Sequence, residues 1–163
     1  MTAGGIVLCG GRSTRMGVPK ATLPFGSETM LQRVVRLLAS VVSPIIVVAA
    51  RDQQLPELPD HVVVTRDERE QQGPLEGLRA GLSALPDSVG IAYVTSCDVP
   101  LLEPRFVERM VELLGDHDIA VMEIDGLGRD MRGKCGAVVG QGRQFDGHGF
   151  LRRLRVGEAI ILA

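Results

Sequence analysis

A glycine-rich loop with basic and hydroxyl side chains follows the first apolar run of the chain. The loop begins at Gly10-Gly11, carries Arg15 and ends at Lys20. Glycines allow backbone N–H groups to approach phosphate oxygens closely. An arginine adds a planar fork of donors, and a lysine adds a mobile charge. The P-loop and dinucleotide-binding patterns are both absent from this segment, so its residue types predict a phosphate-binding loop of another kind.

Two later segments place carboxylates directly after apolar runs. The first, residues 65–77, is densely charged, and its Asp67 could accept hydrogen bonds from a ribose or a base. Asp98 follows the run at residues 91–95 by a few positions. Magnesium prefers one or two carboxylates together with waters and substrate phosphates, so Asp98 is the predicted Mg²⁺ ligand. For each segment taken alone, a structural interpretation stays open, in which Asp98 caps a turn and the charged side chains are merely solvated.

Short apolar runs alternate with amphipathic stretches along the chain. Five runs are predicted to be buried strands, at residues 5–9, 45–49, 62–64, 91–95 and 119–122. Helical patterns cover residues 28–39 and 75–84 and a stretch that starts at Pro104. This alternation predicts an α/β fold, with a mostly parallel, Rossmann-like sheet between two helical layers. Because ligands of such sheets bind at the carboxyl ends of the strands, the three polar segments should meet there.

The composition excludes several classes of function. The chain has 163 residues, a net charge of −2 and only 3% aromatic residues, which argues against a generally basic or base-stacking nucleic-acid surface. No run approaches the ~20 apolar residues of a membrane span. The three cysteines Cys9, Cys97 and Cys135 are odd in number and far apart, which does not support a disulfide framework. These features predict a cytoplasmic protein with neither a nucleic-acid nor a membrane partner.

Together the three segments resemble the molybdenum cofactor guanylyltransferase family, within the nucleotidyltransferase superfamily. Residues 8–20 are similar to the family pattern L-A-G-G-x-S-x-R-M-G-x-x-K, with Cys9 in place of the usual alanine. Residues 73–77 resemble its G-P-L-A-G motif, and residues 97–101 its C-D-x-P-x motif. The resemblance covers about residues 4–126 in the same order and spacing.

The resemblance implies a nucleotide-diphospho-sugar transferase type of fold and a reaction. GMP from GTP would be transferred to the phosphate of the molybdenum–molybdopterin cofactor, with release of pyrophosphate and with Mg²⁺ as cofactor. The implied partners are GTP, the molybdenum cofactor and the proteins that assemble that cofactor. The nucleotide-binding positions carried over are Leu8, Cys9, Gly10, Gly11, Lys20, Asp67 and Asp98. The implied catalytic residues are Arg15, Lys20 and Asp98, with Asp98 as the metal ligand.

The last part of the chain departs from the family. Residues 1–126 are predicted to form the nucleotidyltransferase core, and residues 127–163 an atypical segment rich in glycine and arginine. Hydrophobic periodicity is lost there, and residues 134–139 are at best a distant echo of a family strand. We interpret this segment as a diverged or frameshifted replacement for the family's usual C-terminus.

Other functions remain compatible with the residues. The chain could be a molybdopterin cytidylyltransferase or a sugar-phosphate nucleotidyltransferase, which share the same superfamily signature. It could also be a nucleotide-binding protein without catalysis, because the atypical C-terminal segment affects the region where the family holds its acceptor. A purely structural interaction domain is the least favoured, since three ligand-type loops at one sheet edge would then be a coincidence.

Overall fold

A computed structural model describes residues 2–10, 18–67, 74–115, 117, 119–122, 137–140, 153–156 and 159–162. In chain order the elements are β1 (Thr2–Leu8), β2 (Pro24–Phe25), β3 (Glu28–Thr29), α1 (Met30–Ala39), β4 (Ile45–Ala50), β5 (Val62–Asp67), α2 (Pro74–Ala84), β6 (Val89–Ser96), α3 (Pro104–Leu114), β7 (Ile119–Met122), β8 (Ala137–Gly140), β9 (Arg153–Val156) and β10 (Ala159–Leu162). No helix in the described part of the chain is long and apolar enough to cross a membrane.

One large sheet organises the chain, with strand order β5-β4-β1-β6-β8-β7-β10-β9. The first four strands are parallel, as the alternation of strands and helices predicts. Helices cover both faces of this parallel part, so the predicted three-layer α/β/α fold is confirmed. From β6 onward each neighbouring pair is antiparallel, a half of the sheet that the sequence analysis did not predict.

The side chains of the parallel strands alternate between two hydrophobic cores. Val7 and Val47 point to one face, where they pack with the buried residues of α1 and α3. Ile6 and Val48 point to the other face, which α2 covers. Runs that are apolar at every position therefore form strands buried on both sides, as expected for a parallel sheet.

The start of α1 differs slightly from the prediction. The helix begins at Met30 rather than at residue 28, because Glu28 and Thr29 form the second strand of a small hairpin. Thr29 then caps the helix through a capping box with Gln32, whose backbone N–H donates to the Thr29 hydroxyl. This arrangement satisfies N–H groups that have no partner within the helix.

Three strands come from the segment predicted to be atypical. β8 lies between β6 and β7 and pairs with both, so that Val138 is in register with Tyr93. The short apolar stretch that resembled a distant family strand is therefore a strand of the sheet. Periodicity missed it because a four-residue strand within glycine-rich sequence is too short to show a pattern. The domain boundary at residue 126 and the frameshift stay predictions.

Two glycines of α2 differ in how closely the helix approaches the sheet at each position. A methyl group at Gly81 would lie 2.6 Å from Ile6 Cγ2 and 3.1 Å from Val48 Cγ2. The nearest atom to a methyl group at Gly77 would be Leu8 Cδ2, at an ordinary 3.6 Å. Gly81 is thus required by close packing, whereas Gly77 is not.

Alanine substitutions at these two positions should therefore change stability in opposite directions. Gly81→Ala should lower the free energy of unfolding by about 1–2 kcal/mol, since overpacking outweighs the better helix propensity of alanine. Gly77→Ala should raise it by about 0.5–1 kcal/mol. Urea unfolding of both variants beside the wild type measures this. If both substitutions instead raise the free energy of unfolding equally, α2 can move away from β1 without cost.

Candidate functional site

The parallel strands end together at one edge of the sheet and bring two of the polar segments side by side. The last residues of β1 and β6, Leu8 and Ser96, are in register. Just beyond them the Cys97 N–H donates to the Leu8 carbonyl at 3.1 Å, and the Cys9 N–H donates to the Val48 carbonyl at 2.8 Å. The loop that starts at Gly10 and the loop that carries Asp98 therefore leave the sheet next to each other, as the alternation of strands and helices predicts.

An ion pair joins these two loops. The Lys20 ammonium lies 2.6 Å from Asp98 Oδ2, and the two side chains are 43% and 32% exposed. Lys20 begins a short 3₁₀ turn after Pro19, and the next residue, Ala21, is fully buried. The buried alanine anchors the turn, so that the lysine is held over the carboxyl end of the sheet.

The second oxygen of Asp98 has its own partner. The Ser96 hydroxyl donates a hydrogen bond to Asp98 Oδ1. Burial raises the pKa of Asp98, but the hydrogen bonds from Lys20 and Ser96 together lower it below its ordinary value. The hydrogen bond to Asp98, with the attraction of its charge, raises the pKa of Lys20. At neutral pH the site therefore holds a carboxylate and an ammonium, both charged and both partly open to solvent.

These shifts predict how the pair contributes to stability as pH changes. Folding lowers the pKa of Asp98, so its contribution is present above about pH 4 and is lost as pH falls through the lowered folded-state value. Folding raises the pKa of Lys20, so its contribution is present below about pH 10 and is lost as pH rises through the raised value. Because both groups are partly exposed, the pair should contribute less than about 1 kcal/mol.

Urea unfolding of the wild type and of Lys20→Met, from about pH 7 down to about pH 2, measures the acid side of this prediction. The stability difference between the two proteins should shrink on acidification. A difference that grows toward low pH would contradict the assignment of Asp98 as the titrating partner.

The thiol of Cys9 faces the core rather than the open edge of the sheet. Cys9 and Cys97 are both buried, are free cysteines and belong to the same hydrophobic cluster. The hydrogen bond to Cys97, together with burial, raises the pKa of the Cys9 thiol, and the same bond lowers the pKa of Cys97. The side chain that replaces the family's alanine at position 9 is thus a packing residue. We expect any contact of Cys9 with a nucleotide to involve its backbone.

The other predicted site residues are placed as follows. Leu8 ends β1 half-buried, and Gly10 is exposed just beyond it. Asp67 ends β5, with its backbone in register with Ala50. Gly11 and Arg15 lie outside the described residues, as does the side chain of Asp67. The structure thus brings Lys20 and Asp98 into contact and places the ends of β1 and β5 on either side of β4.

Two residues that sequence reasoning missed also contact this region. Ser96 could have been found, because a hydroxyl two positions before Asp98 projects from the same side of an extended chain. Arg33 could not, since it lies on the face of α1 opposite the apolar stripe and resembles any solvated arginine. Its Nε nonetheless donates to the carbonyl of Pro100 at 2.8 Å.

The chemistry of the site fits a magnesium ion that substrate helps to bind. No group of three or more histidines, cysteines or carboxylates that could hold a metal occurs within the described ranges. Asp98 instead offers a single, partly exposed carboxylate beside a cation. Magnesium commonly binds one or two carboxylates and completes its shell with waters and substrate phosphates, so Asp98 suits such a site better than an all-protein cage.

Comparison with known proteins identifies a family to which this sequence is similar. Residues 5–147 match the MobA-like NTP transferase domain family. A curated protein of Mycobacterium avium (strain 104), named probable molybdenum cofactor guanylyltransferase, is 41% identical over 125 residues. That alignment covers 75% of this chain and 62% of the mycobacterial protein, so the chain spans less than two thirds of this relative's length.

Solved structures share the fold at lower identity. Rv0371c from Mycobacterium tuberculosis H37Rv matches with a TM-score of 0.67 at 21% identity, over 86% of this chain and 71% of that one. Its complex with manganese matches with a TM-score of 0.60 at 21% identity, over 86% and 72% of the two chains. The 4-diphosphocytidyl-2C-methyl-D-erythritol synthase of Anaerococcus prevotii matches at 12% identity with a TM-score of 0.60, over 85% and 70%.

Proposed function

This chain belongs to the MobA-like NTP transferase domain family, and on this basis we propose that it is a nucleotidyltransferase that transfers GMP from GTP to the phosphate of the molybdenum cofactor. The products are molybdopterin guanine dinucleotide and pyrophosphate. The observation that carries the proposal is the Lys20–Asp98 pair at the carboxyl edge of the sheet. The name of the M. avium relative supports guanylate as the transferred group.

The reaction requires little chemistry from the protein itself. The attacking group is a phosphate that is already ionised at neutral pH, so no general base is needed. The protein has to orient the two phosphates in line and to offset the charge that develops on the leaving pyrophosphate. In this proposal Asp98 holds Mg²⁺, which when bound withdraws negative charge from the phosphate oxygens it contacts.

Lys20 neutralises phosphate charge directly. In this structure its ammonium is bound to Asp98, so the phosphates of an arriving nucleotide compete with that carboxylate for the lysine. Arg15 and the backbone amides around Gly10 and Gly11 are the proposed partners of the remaining phosphate oxygens. Glycine at the latter two positions lets a phosphate approach the backbone.

The nucleoside end of GTP is proposed to lie between the ends of β1 and β5. Leu8 and Cys9 would border it on one side and Asp67 on the other, with β4 between them. Asp67 would accept hydrogen bonds from the ribose or the base. This placement follows the general preference of ligands for the carboxyl ends of parallel strands.

The remaining parts of the proposal concern the setting of the reaction. We propose Mg²⁺ as the physiological cation, and the manganese complex of Rv0371c supports a divalent metal in this fold. The acceptor and the proteins that assemble it are the proposed partners, and the cytoplasm is the proposed location. The antiparallel strands β8 to β10 extend the sheet beyond β6, on the side away from the proposed nucleoside position.

Calorimetric titration with GTP and Mg²⁺, beside parallel titrations with CTP and ATP, tests the nucleotide part of the proposal. Pyrophosphate release in the presence of molybdenum cofactor then tests the transfer. We expect saturable, metal-dependent binding of GTP and stoichiometric pyrophosphate. Selective binding of CTP would reassign the enzyme to cytidylyl transfer. Absence of binding by any nucleotide to the folded protein would refute the proposed site.

A further inference from the structure

Arg33 on α1 reaches across to the loop that carries Asp98. Its Nε donates to the Pro100 carbonyl at 2.8 Å, two residues beyond Asp98. The same guanidinium lies 3.6 Å from Glu28 Oε2, and its Cζ stands 5.0 Å from the centre of the Phe25 ring. Three different groups therefore restrain the Arg33 side chain. Because the side chain is already ordered, its hydrogen bond to the loop costs less conformational entropy.

The segment that holds Arg33 is also the segment that carries Lys20. From the turn at Lys20 the chain passes through the β2–β3 hairpin directly into α1. The Met30 N–H donates to the Leu23 carbonyl at 2.8 Å and closes this segment on itself. Ala21 and Leu31 are both fully buried and anchor it to the core. We call residues 20–33 the bracket.

The bracket therefore carries one partner of the ion pair and also contacts the loop of the other. At one end it carries the lysine, and at the other its arginine binds the backbone of the aspartate's loop. Within that loop Leu102 is buried and its N–H donates to the Val99 carbonyl at 3.1 Å. A link to Pro100 lies between these two residues and thus acts on the turn that follows Asp98.

We propose that Arg33 is a positioning residue for Asp98, which it holds in the geometry for metal binding through the Pro100 carbonyl. The proposal rests on the proposed function, because it assumes that Asp98 binds the divalent cation. Arg33 touches neither Asp98 nor Lys20 in the contacts above, so its effect passes through the loop backbone. Its loss should loosen the loop and weaken metal binding more than it weakens the binding of the nucleotide itself.

The chain offers a matched control for this test in the neighbouring arginine of α1. Arg36 donates from Nε and from one terminal nitrogen to the carboxylate of Glu28, at 2.7 and 3.0 Å. It thus shares a partner with Arg33, but among the described residues its hydrogen bonds and ion pairs go to Glu28 and not to the Asp98 loop. Arg33→Met and Arg36→Met remove the same charge from the same helix, and only the first removes the link to Pro100.

Hydrogen–deuterium exchange of the unliganded protein tests the loop directly. In Arg33→Met the amides of residues 97–99 and 101–103 should exchange about fivefold faster, as expected when a local contact is lost without global unfolding. In Arg36→Met they should exchange as in the wild type. Unchanged exchange in Arg33→Met, or equal acceleration in both variants, would overturn the proposal.

A second measurement separates metal binding from nucleotide binding. Mn²⁺ serves as the probe, titrated into each protein saturated with a GTP analogue that has a methylene group between the α and β phosphates. Arg33→Met should weaken Mn²⁺ binding about tenfold, the effect of one hydrogen bond to a charged group. Its affinity for the analogue without metal should change less than about twofold, and Arg36→Met should leave both values unchanged.

The outcomes distinguish the two proposals. If the wild type binds the analogue but Arg33→Met keeps its full Mn²⁺ affinity, the positioning role is wrong and the proposed function survives. A uniform loss of metal and nucleotide binding, with a lowered midpoint of unfolding, would show a merely structural arginine. If the wild type binds neither probe, the proposed function fails, and the positioning role fails with it even where the exchange rates change.

Discussion

Asp98→Asn is expected to lower kcat for GMP transfer at least about a hundredfold, because it removes the proposed metal-holding carboxylate while keeping the shape of the side chain. Loss of one electrostatic group that stabilises a transition state typically costs a factor of about 10²–10³. The asparagine can still accept a hydrogen bond from Ser96. The change therefore tests charge rather than packing, and steady-state pyrophosphate release at saturating GTP and Mg²⁺ measures it.

The same variant lowers kcat but should not weaken GTP binding when metal is absent. In the wild type the Lys20 ammonium donates to Asp98 Oδ2 at 2.6 Å, so the carboxylate competes with phosphate for the lysine. The carboxylate also adds negative charge beside the proposed phosphate position. Without metal, Asp98→Asn should therefore bind GTP as tightly as the wild type or more tightly. With Mg²⁺ present it should lose the metal-dependent gain in affinity. Reduced affinity in both conditions would indicate that the substitution damages the site rather than its metal binding.

A surface carboxylate provides the control for Asp98→Asn. Glu112 on α3 pairs with Arg109, and both side chains are 65% exposed. Glu112→Gln removes one negative charge from the protein without touching the loops at the sheet edge. It should leave kcat and metal dependence unchanged, and an equal effect of the two substitutions would assign the loss to net charge alone.

Lys20→Met is expected to weaken GTP binding by about ten- to a hundredfold, the second largest effect. A lysine that contacts phosphate through a charge-assisted hydrogen bond contributes about 1.5–3 kcal/mol. Because this contribution does not depend on the metal, the loss should be similar with Mg²⁺ and with a chelator present. Calorimetric Kd values for GTP in both conditions measure it.

The control for Lys20→Met removes a cation from a remote helix. Arg109→Met takes away the partner of Glu112 on α3 and should leave the Kd for GTP unchanged. A loss in Lys20→Met that occurs only with Mg²⁺ would instead mean that the lysine acts by keeping Asp98 in place. A Kd equal to that of the wild type would remove Lys20 from the site.

The elements that position the site could be predicted from local patterns. Runs such as Ile45–Ala50 are apolar at each position and are buried on both faces of the sheet. α1 and α3 each carry one apolar stripe, and α3 begins at Pro104 as predicted. Strand and helix alternation then places the loops after β1 and β6 at one edge. The positions of Lys20 and Asp98 along the chain were enough to predict that they belong to one site.

The short strands of residues 137–162 show where local patterns fail. β8 pairs on both sides, with β6 and with β7, so neighbouring strands supply the hydrogen bonds that a four-residue segment cannot organise alone. Pairing with the neighbouring strands stabilises such a strand, and its own sequence is too short to show a hydrophobic period. The same reason explains why the sequence predicted a mostly parallel sheet and not the antiparallel half.

The sequence by itself determined the fold of the parallel half and which loops lie at the carboxyl edge of the sheet, and it predicted Lys20 and Asp98 as residues of the candidate site. The tertiary structure alone decided which groups meet. Lys20 and Asp98 are 78 residues apart, and Arg33 and Pro100 are 67 apart, so no local pattern relates them. These contacts depend on how the bracket packs on the core and on how β6 pairs with β1. The resemblance placed Cys9 among the nucleotide-binding positions without saying where its thiol points. The structure places the thiol in the core, because its direction is set by the register of β1 against its neighbours.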